Sequence, residues 1–149
     1  PFLPIFFLAI IFIQISTGAL VSGLDAGQIY QSWPLMDKNY FPDDSELLDL
    51  FSINLFNTPS LVQFLHRNIA YFLIILFIYL SIFIYSNNKY SHFKTNINII
   101  FIALAIQIAL GIFTILSGAK IYIASAHQIG SILLILSSVQ LVFKNSITN

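Results

Sequence analysis

The sequence has no cysteine, and only 8% of its 149 residues are charged. The first absence excludes disulfide frameworks, thiolate zinc sites, iron–sulfur clusters and thiol redox chemistry. The second is balanced: six Lys and Arg against six Asp and Glu give a formal charge of zero, with no field to attract nucleic acid or another strongly charged partner. Methionine occurs once, as Met36, and the chain does not begin with one. With an apolar run starting at the first residues, this reads as part of a longer polypeptide. What is abundant is apolar surface: 58% of residues are hydrophobic and the mean hydropathy is +0.87. That excludes an ordinary soluble domain and leaves a small bundle of membrane helices.

Four apolar stretches are each long enough to cross a hydrocarbon core, which takes about 20 helical residues. They run roughly over 2–22, 60–85, 97–117 and 121–143. The first lacks a basic n-region and an Ala-x-Ala cleavage pattern, so it is read as a spanning helix and not a cleaved signal. All six acids, Asp25, Asp37, Asp43, Asp44, Glu46 and Asp49, fall in the long connection over 24–58. Lys89 and Lys94 sit in the short second connection, and Lys144 closes the fourth stretch. The positive-inside rule then puts both termini in the cytoplasm or matrix and the acidic loop outside. Asn57-Thr58-Pro59 marks the start of the second helix, with Thr58 as its cap and Pro59 in its first turn. His66 and His127 both follow about two turns from the outer helix ends. Counted from the inner lysines, His66 stands several residues higher, a mismatch that a tilt or a helix end at Asn87 would absorb.

The chain also repeats itself. Gln14-Ile15-Ser16-Thr17-Gly18 with Ser22-Gly23 in the first helix matches Gln107-Ile108-Ala109-Leu110-Gly111 with Ser117-Gly118 in the third. Each is followed by a helix with a histidine near its outer start. The expected fold is therefore an all-α membrane bundle of four helices, made of two helical hairpins in parallel and related by a pseudo-twofold axis along the membrane normal. Three helices carry stripes of small and polar residues at spacings of three and four. These are Gln14, Gly18, Ser22 and Asp25; Ala103, Gln107, Gly111, Thr114 and Gly118; and Ala124, His127, Ser131, Leu134 and Ser138. Alone, such stripes most often mean close helix packing.

Two histidines at matched depth on corresponding helices of a duplicated hairpin carry more weight. Ionisable side chains within a span are costly and face the bundle interior. Imidazole is a common ligand of iron and copper. Zinc or copper would want further donors that the spans lack, whereas a haem iron needs only two axial ones. A haem between His66 and His127 fits the inventory best, and a pair of interior hydrogen-bonding histidines is the plain alternative. His92 lies in the basic loop on the other side and is read as solvated. Arg67 could pair with a haem propionate or snorkel to lipid headgroups, and Lys120 is a weaker candidate for the propionate. Gln63 and Gln128 could hydrogen-bond the histidines or the propionates. Asp25, in Asp25-Ala26-Gly27, reads as a helix stop and turn. No catalytic acid–base or nucleophile constellation appears in the spans.

Gly18-Ala19-Leu20-Val21-Ser22-Gly23-Leu24-Asp25-Ala26-Gly27, Tyr30-Gln31-Ser32-Trp33-Pro34-Leu35-Met36, Asn57-Thr58-Pro59-Ser60-Leu61-Val62-Gln63-Phe64-Leu65-His66-Arg67 and Ala126-His127-Gln128-Ile129-Gly130 occur here in that order. Together they resemble the C-terminal half of the haem A synthase family, over essentially the whole chain. The resemblance implies an eight-helix membrane oxidoreductase of two four-helix halves, which oxidises the C8 methyl of haem O to the formyl of haem A for cytochrome oxidase. It implies that this half holds a haem b with His66 and His127 as axial iron ligands, for electron transfer. The N-terminal half of the family carries a Glu-x-x-His-Arg motif in its substrate site, where this chain has Gln63, which cannot act as a carboxylate base. On its own, this fragment is expected to bind haem without making haem A.

The implied partners are the N-terminal half with its haem O, the lipid bilayer and haem O synthase; no nucleic acid is among them. The implied membrane is a bacterial plasma membrane or the mitochondrial inner membrane. Two further readings stand beside this one: a stand-alone b-type membrane cytochrome carrying electrons, and a haem-free assembly scaffold. Trp33 and Tyr30 could serve the outer loop as interfacial anchors.

Overall fold

The structure, a computed structural model, describes residues 2–148. Among them, four helices are long and apolar enough to cross a membrane. They are α1 (Leu3–Gly23), α2 (Pro59–Ser86), α3 (Lys94–Leu116) and α4 (Ile121–Thr148). The protein is a multi-pass, all-α integral membrane protein. α1 packs chiefly on α2 and α3 on α4, with α1 and α4 joining the two pairs; α2 and α3 touch little.

The helix ends follow local chemistry. α1 stops at Gly23, and Asp25 takes a left-handed conformation (φ 51°) as the chain turns away, so Asp25 is a helix stop. Thr58 stands at the N-cap of α2 with extended backbone, but its hydroxyl makes no capping bond. Pro59, at the first helical position, has no N–H to leave unpaired there. α3 begins at Lys94, three residues before the apolar run, after a 3-10 segment over Asn88–Phe93. Its end is a tight turn with Gly118 (φ 69°) and Ala119 (φ 56°) left-handed. There the Ala119 N–H donates to the Thr114 carbonyl at 2.8 Å.

α4 continues five residues past Phe143, through Lys144 to Thr148. This removes the apparent height mismatch of the histidines, because α2 and α4 are both 28 residues long. His66 is the eighth residue of α2 and His127 the seventh of α4. Both therefore lie roughly 10 Å along the helix from its outer end, at about 1.5 Å per residue.

The bundle is divided by depth. Its apolar core lies in the half away from the long loop, built from Phe7 and Ile11, Leu73, Phe77, Leu80 and Ile84, Ile97, Ile100 and Leu104, and Leu134 and Leu141. The opposite half holds Gln14, Gly18, Gln107 and Gly111 with the two histidines, while Ala103, Leu134 and Ser138 of the stripes lie with the apolar core. At the inner end a polar cluster ties α3 to α4: buried Asn96 donates from Nδ2 to Gln140 Oε1 at 3.2 Å and accepts from Lys144 Nζ at 2.9 Å. That bond falls beyond the last apolar residues of the run, where α4 is still helical.

Removing the Asn96 amide leaves the Lys144 ammonium and the Gln140 carbonyl without it. Asn96→Leu is expected to destabilise the bundle by about 1 kcal/mol, the usual scale of an interhelical polar contact. Unfolding in mixed detergent measures this; a variant as stable as the parent would show the cluster to be idle.

Candidate functional site

The polar half is organised around the two imidazoles. His66 sits in a slot on α1. A Cβ placed on Gly18 would lie 3.1 Å from its Cε1, so the ring rests directly on the glycine. Gly111 on α3 does the same for His127, with a built Cβ 3.2 Å from Cε1. In each case a Cβ would crowd the ring, which would have to give by a few tenths of an ångström. α2 and α4, which carry the two rings, are not extensively packed on each other.

Their polar surroundings differ. Gln14 Nε2 lies 3.2 Å from His66 Nε2, and Thr17 Oγ1 lies 3.1 Å from His66 Nδ1. His127 Nδ1 is buried without a hydrogen-bond partner. Among the described residues, no three His, Cys, Asp or Glu side chains come together as a metal cluster. The polar donors assembled here are two imidazoles with amide and hydroxyl neighbours. His92, at the other end of the molecule, is exposed and packs against Phe93.

Above the histidines the long loop folds down on α2. Tyr40 and Phe41 meet Phe64 edge-on, with ring centroids 5.6 and 5.1 Å away. Gln63 and Arg67, one turn apart on α2, are only 1% and 5% exposed. Gln63 Nε2 donates to the Tyr30 carbonyl at 3.0 Å, and Arg67 donates to the same carbonyl at 3.1 Å and to the Leu35 carbonyl at 3.2 Å. Arg67 thus does not snorkel: its guanidinium is buried under the loop and holds it. The Gln63 amide likewise binds the loop and neither histidine.

Tyr30 is no interfacial anchor either. It is buried, with its hydroxyl donating to Asp44 Oδ1 at 3.4 Å and accepting from the Asp43 N–H at 3.2 Å. Burial, and next the Asp44 carboxylate, raise its pKa above the ordinary phenol value. Trp33 is more exposed. Gln128 is exposed and reaches Ser22 Oγ on α1 at 3.5 Å, tying the outer ends of α1 and α4. Lys120 is exposed at the α3–α4 turn, where Gly27 of the loop packs on Ala119.

Three of these contacts escaped sequence reasoning. Thr17 has no equivalent in the third helix, where Leu110 stands, so a search for repeated positions passes over it. The carbonyls of Tyr30 and Leu35 carry no side-chain signal, so the acceptors of Gln63 and Arg67 were invisible in the sequence.

A family model described as cytochrome oxidase assembly protein matches residues 2–139. The chain is 46% identical over 144 residues to a heme A synthase of Pelagibacter ubique (strain HTCC1062), covering 95% of this chain and 41% of that protein. It is 41% identical over 117 residues to a heme A synthase of Roseobacter denitrificans, covering 78% and 30% respectively. To a heme A synthase of Rickettsia rickettsii (strain Sheila Smith) it is 38% identical over 131 residues, covering 86% and 37%. The chain therefore spans 30% to 41% of the length of these relatives. No solved structure matches it.

Because Arg67 holds two loop carbonyls with a charged donor, its loss is worth on the order of 1.5–3 kcal/mol locally. Arg67→Met is expected to speed proteolysis within 24–58 by about tenfold or more, with α1 to α4 left intact. Arg67→Lys, with a single donor nitrogen, should protect only partly; an unchanged cleavage rate in Arg67→Met would refute the clamp.

Proposed function

The chain belongs to the cytochrome oxidase assembly protein family, and we propose that it is the C-terminal half of a haem A synthase, holding a haem b between His66 and His127. The observation that carries this reading is the pair of histidine–glycine contacts. Two imidazoles stand at equal depth on α2 and α4, each seated on a glycine of a neighbouring helix. Close packing alone does not call for a coordinating side chain at both places, and an unpaired imidazole nitrogen inside a bilayer is costly. His127 Nδ1 is such an atom. The donor set fits a haem, which asks for two axial nitrogens and flat, small-residue walls.

A haem with two imidazole ligands supplies reversible one-electron transfer. What this chain contributes is structural and electrostatic. His66 and His127 would hold the iron, from two helices that are not extensively packed on each other. Gly18 and Gly111 keep the helix surfaces flat beside the rings. The apolar core below and the clamped loop above exclude water, which tunes the potential. Arg67 brings a buried positive charge to the loop side of the site, with its Nε–H still unpaired, and so can stabilise a propionate. Gln128 and Gln63 act through the helix and loop contacts described above. Gln63 has no ionisable carboxyl, so proton abstraction is not assigned to this half.

In the whole enzyme, oxidation of the haem O methyl to the formyl of haem A would belong to the part that this chain does not span, and a haem held by His66 and His127 would supply one-electron transfer. The duplicated Gln-x-x-x-Gly and His positions suit two parallel hairpins in each half. Lys89, Lys94 and Lys144 put the termini on the cytoplasmic or matrix side and the acidic loop outside.

The test is ligand removal. His66→Ala and His127→Ala, each purified from haem-replete cells, are expected to lose the six-coordinate low-spin spectrum of the parent, while His92→Ala keeps it. An unchanged low-spin spectrum in either of the first two would sink the assignment.

A further inference from the structure

The hydrogen-bond partners of His66 determine where its proton lies. An amide nitrogen only donates, so Gln14 Nε2, 3.2 Å away, requires a lone pair on His66 Nε2. The ring proton is then on Nδ1, 3.1 Å from Thr17 Oγ1. Thr17 can accept it because its own hydroxyl proton is directed to the Gln14 carbonyl at 2.9 Å. Every proton in this chain of three contacts has one donor and one acceptor.

The opposite assignment satisfies fewer groups. With Gln14 turned over, its Oε1 would need a proton on His66 Nε2, and Thr17 would have to donate to Nδ1. The Gln14 carbonyl would lose its bond from Thr17, and two amide N–H groups would be stranded. The arrangement described leaves one acceptor, Gln14 Oε1, and only one of the two Gln14 Nε2 N–H groups without a partner. A buried donor left unpaired costs about 1–3 kcal/mol, so the first arrangement is preferred.

Nothing equivalent serves the second histidine. Gln107 and Gly111 match Gln14 and Gly18, but Leu110 stands where Thr17 would, and His127 Nδ1 has no hydrogen-bond partner. Accordingly we propose that Thr17 is a positioning residue that fixes the Nδ1–H tautomer of His66, keeps the lone pair on its Nε2, and makes the two imidazoles unequal ligands. The functional half of this inference rests on the haem-binding reading above.

An Nδ1–H bonded to an oxygen acceptor makes the imidazole a stronger electron donor and a more basic ligand. On an iron porphyrin this favours the oxidised metal. Thr17→Val, which keeps the shape and removes the acceptor, is therefore expected to raise the midpoint potential of the bound haem, and Thr17→Ser to restore it.

Two measurements test the proposal. The first is nitrogen NMR of the haem-free chain in detergent with 15N-labelled histidine, assigned with His92→Gln and His127→Gln. His66 is expected as the Nδ1–H tautomer in the parent and to lose that preference in Thr17→Val. A proton on Nε2 in the parent overturns the proposal whether or not haem binds. The second is a redox titration of the haem-loaded parent, Thr17→Val and Thr17→Ser chains. Equal potentials in the parent and Thr17→Val would also overturn it. If the parent takes up no haem, the functional reading falls and the NMR result alone decides the tautomer.

Discussion

An imidazole inside a helix bundle of hydrocarbon thickness needs two things: space next to a helix backbone, and a partner for each polar nitrogen. Gly18 and Gly111 supply the space, and the surrounding architecture is arranged to keep the rings there. Both histidines come from helices of the same length at nearly the same position, and both lean on a helix other than their own. The division of the bundle by depth follows. Large apolar side chains fill the half where no ring has to be accommodated, and small or polar ones occupy the half where two rings do. Stability and function thus draw on different levels of the same four helices.

The outer loop completes the site from above. A connection of this length between spanning helices is uncommon unless it has a function. Here it is pinned at one carbonyl, that of Tyr30, by both Gln63 and Arg67. Since His66 lies between these two residues in the same turn of α2, the segment that presents a ring to the bundle also holds the cover over it. Loop order and ring position are therefore mechanically linked. The most exposed apolar side chains of the loop, such as Phe51 at 90% exposure, lie in its later part, beyond the carbonyls that Gln63 and Arg67 hold.

Much of this was legible in the sequence. Four apolar runs fixed the helices to within a few residues because spanning a membrane demands both length and composition. The long helix α4 was underestimated because a lysine and an asparagine inside it look like a terminus, until Lys144 is seen to bond Asn96 across the helix pair. The two histidines were found through the repeat. The roles of their neighbours were not, since the direction of an amide or guanidinium depends on which backbone carbonyl the fold brings within reach. For Arg67 the sequence leaves propionate pairing and snorkelling side by side; only the folded loop gives it buried acceptors. Thr17 was overlooked for the opposite reason, since it is the position at which the two copies of the hairpin motif diverge.

The central claim is that this chain alone folds into a bundle that holds one haem with two nitrogen ligands. The most direct test is a reduced-minus-oxidised visible spectrum, with a pyridine haemochrome for identity and amount, on the chain purified in detergent from haem-replete cells. The account predicts a low-spin b-type signal at one haem per chain. A correctly folded but colourless protein, or one whose haem is high-spin, would contradict it.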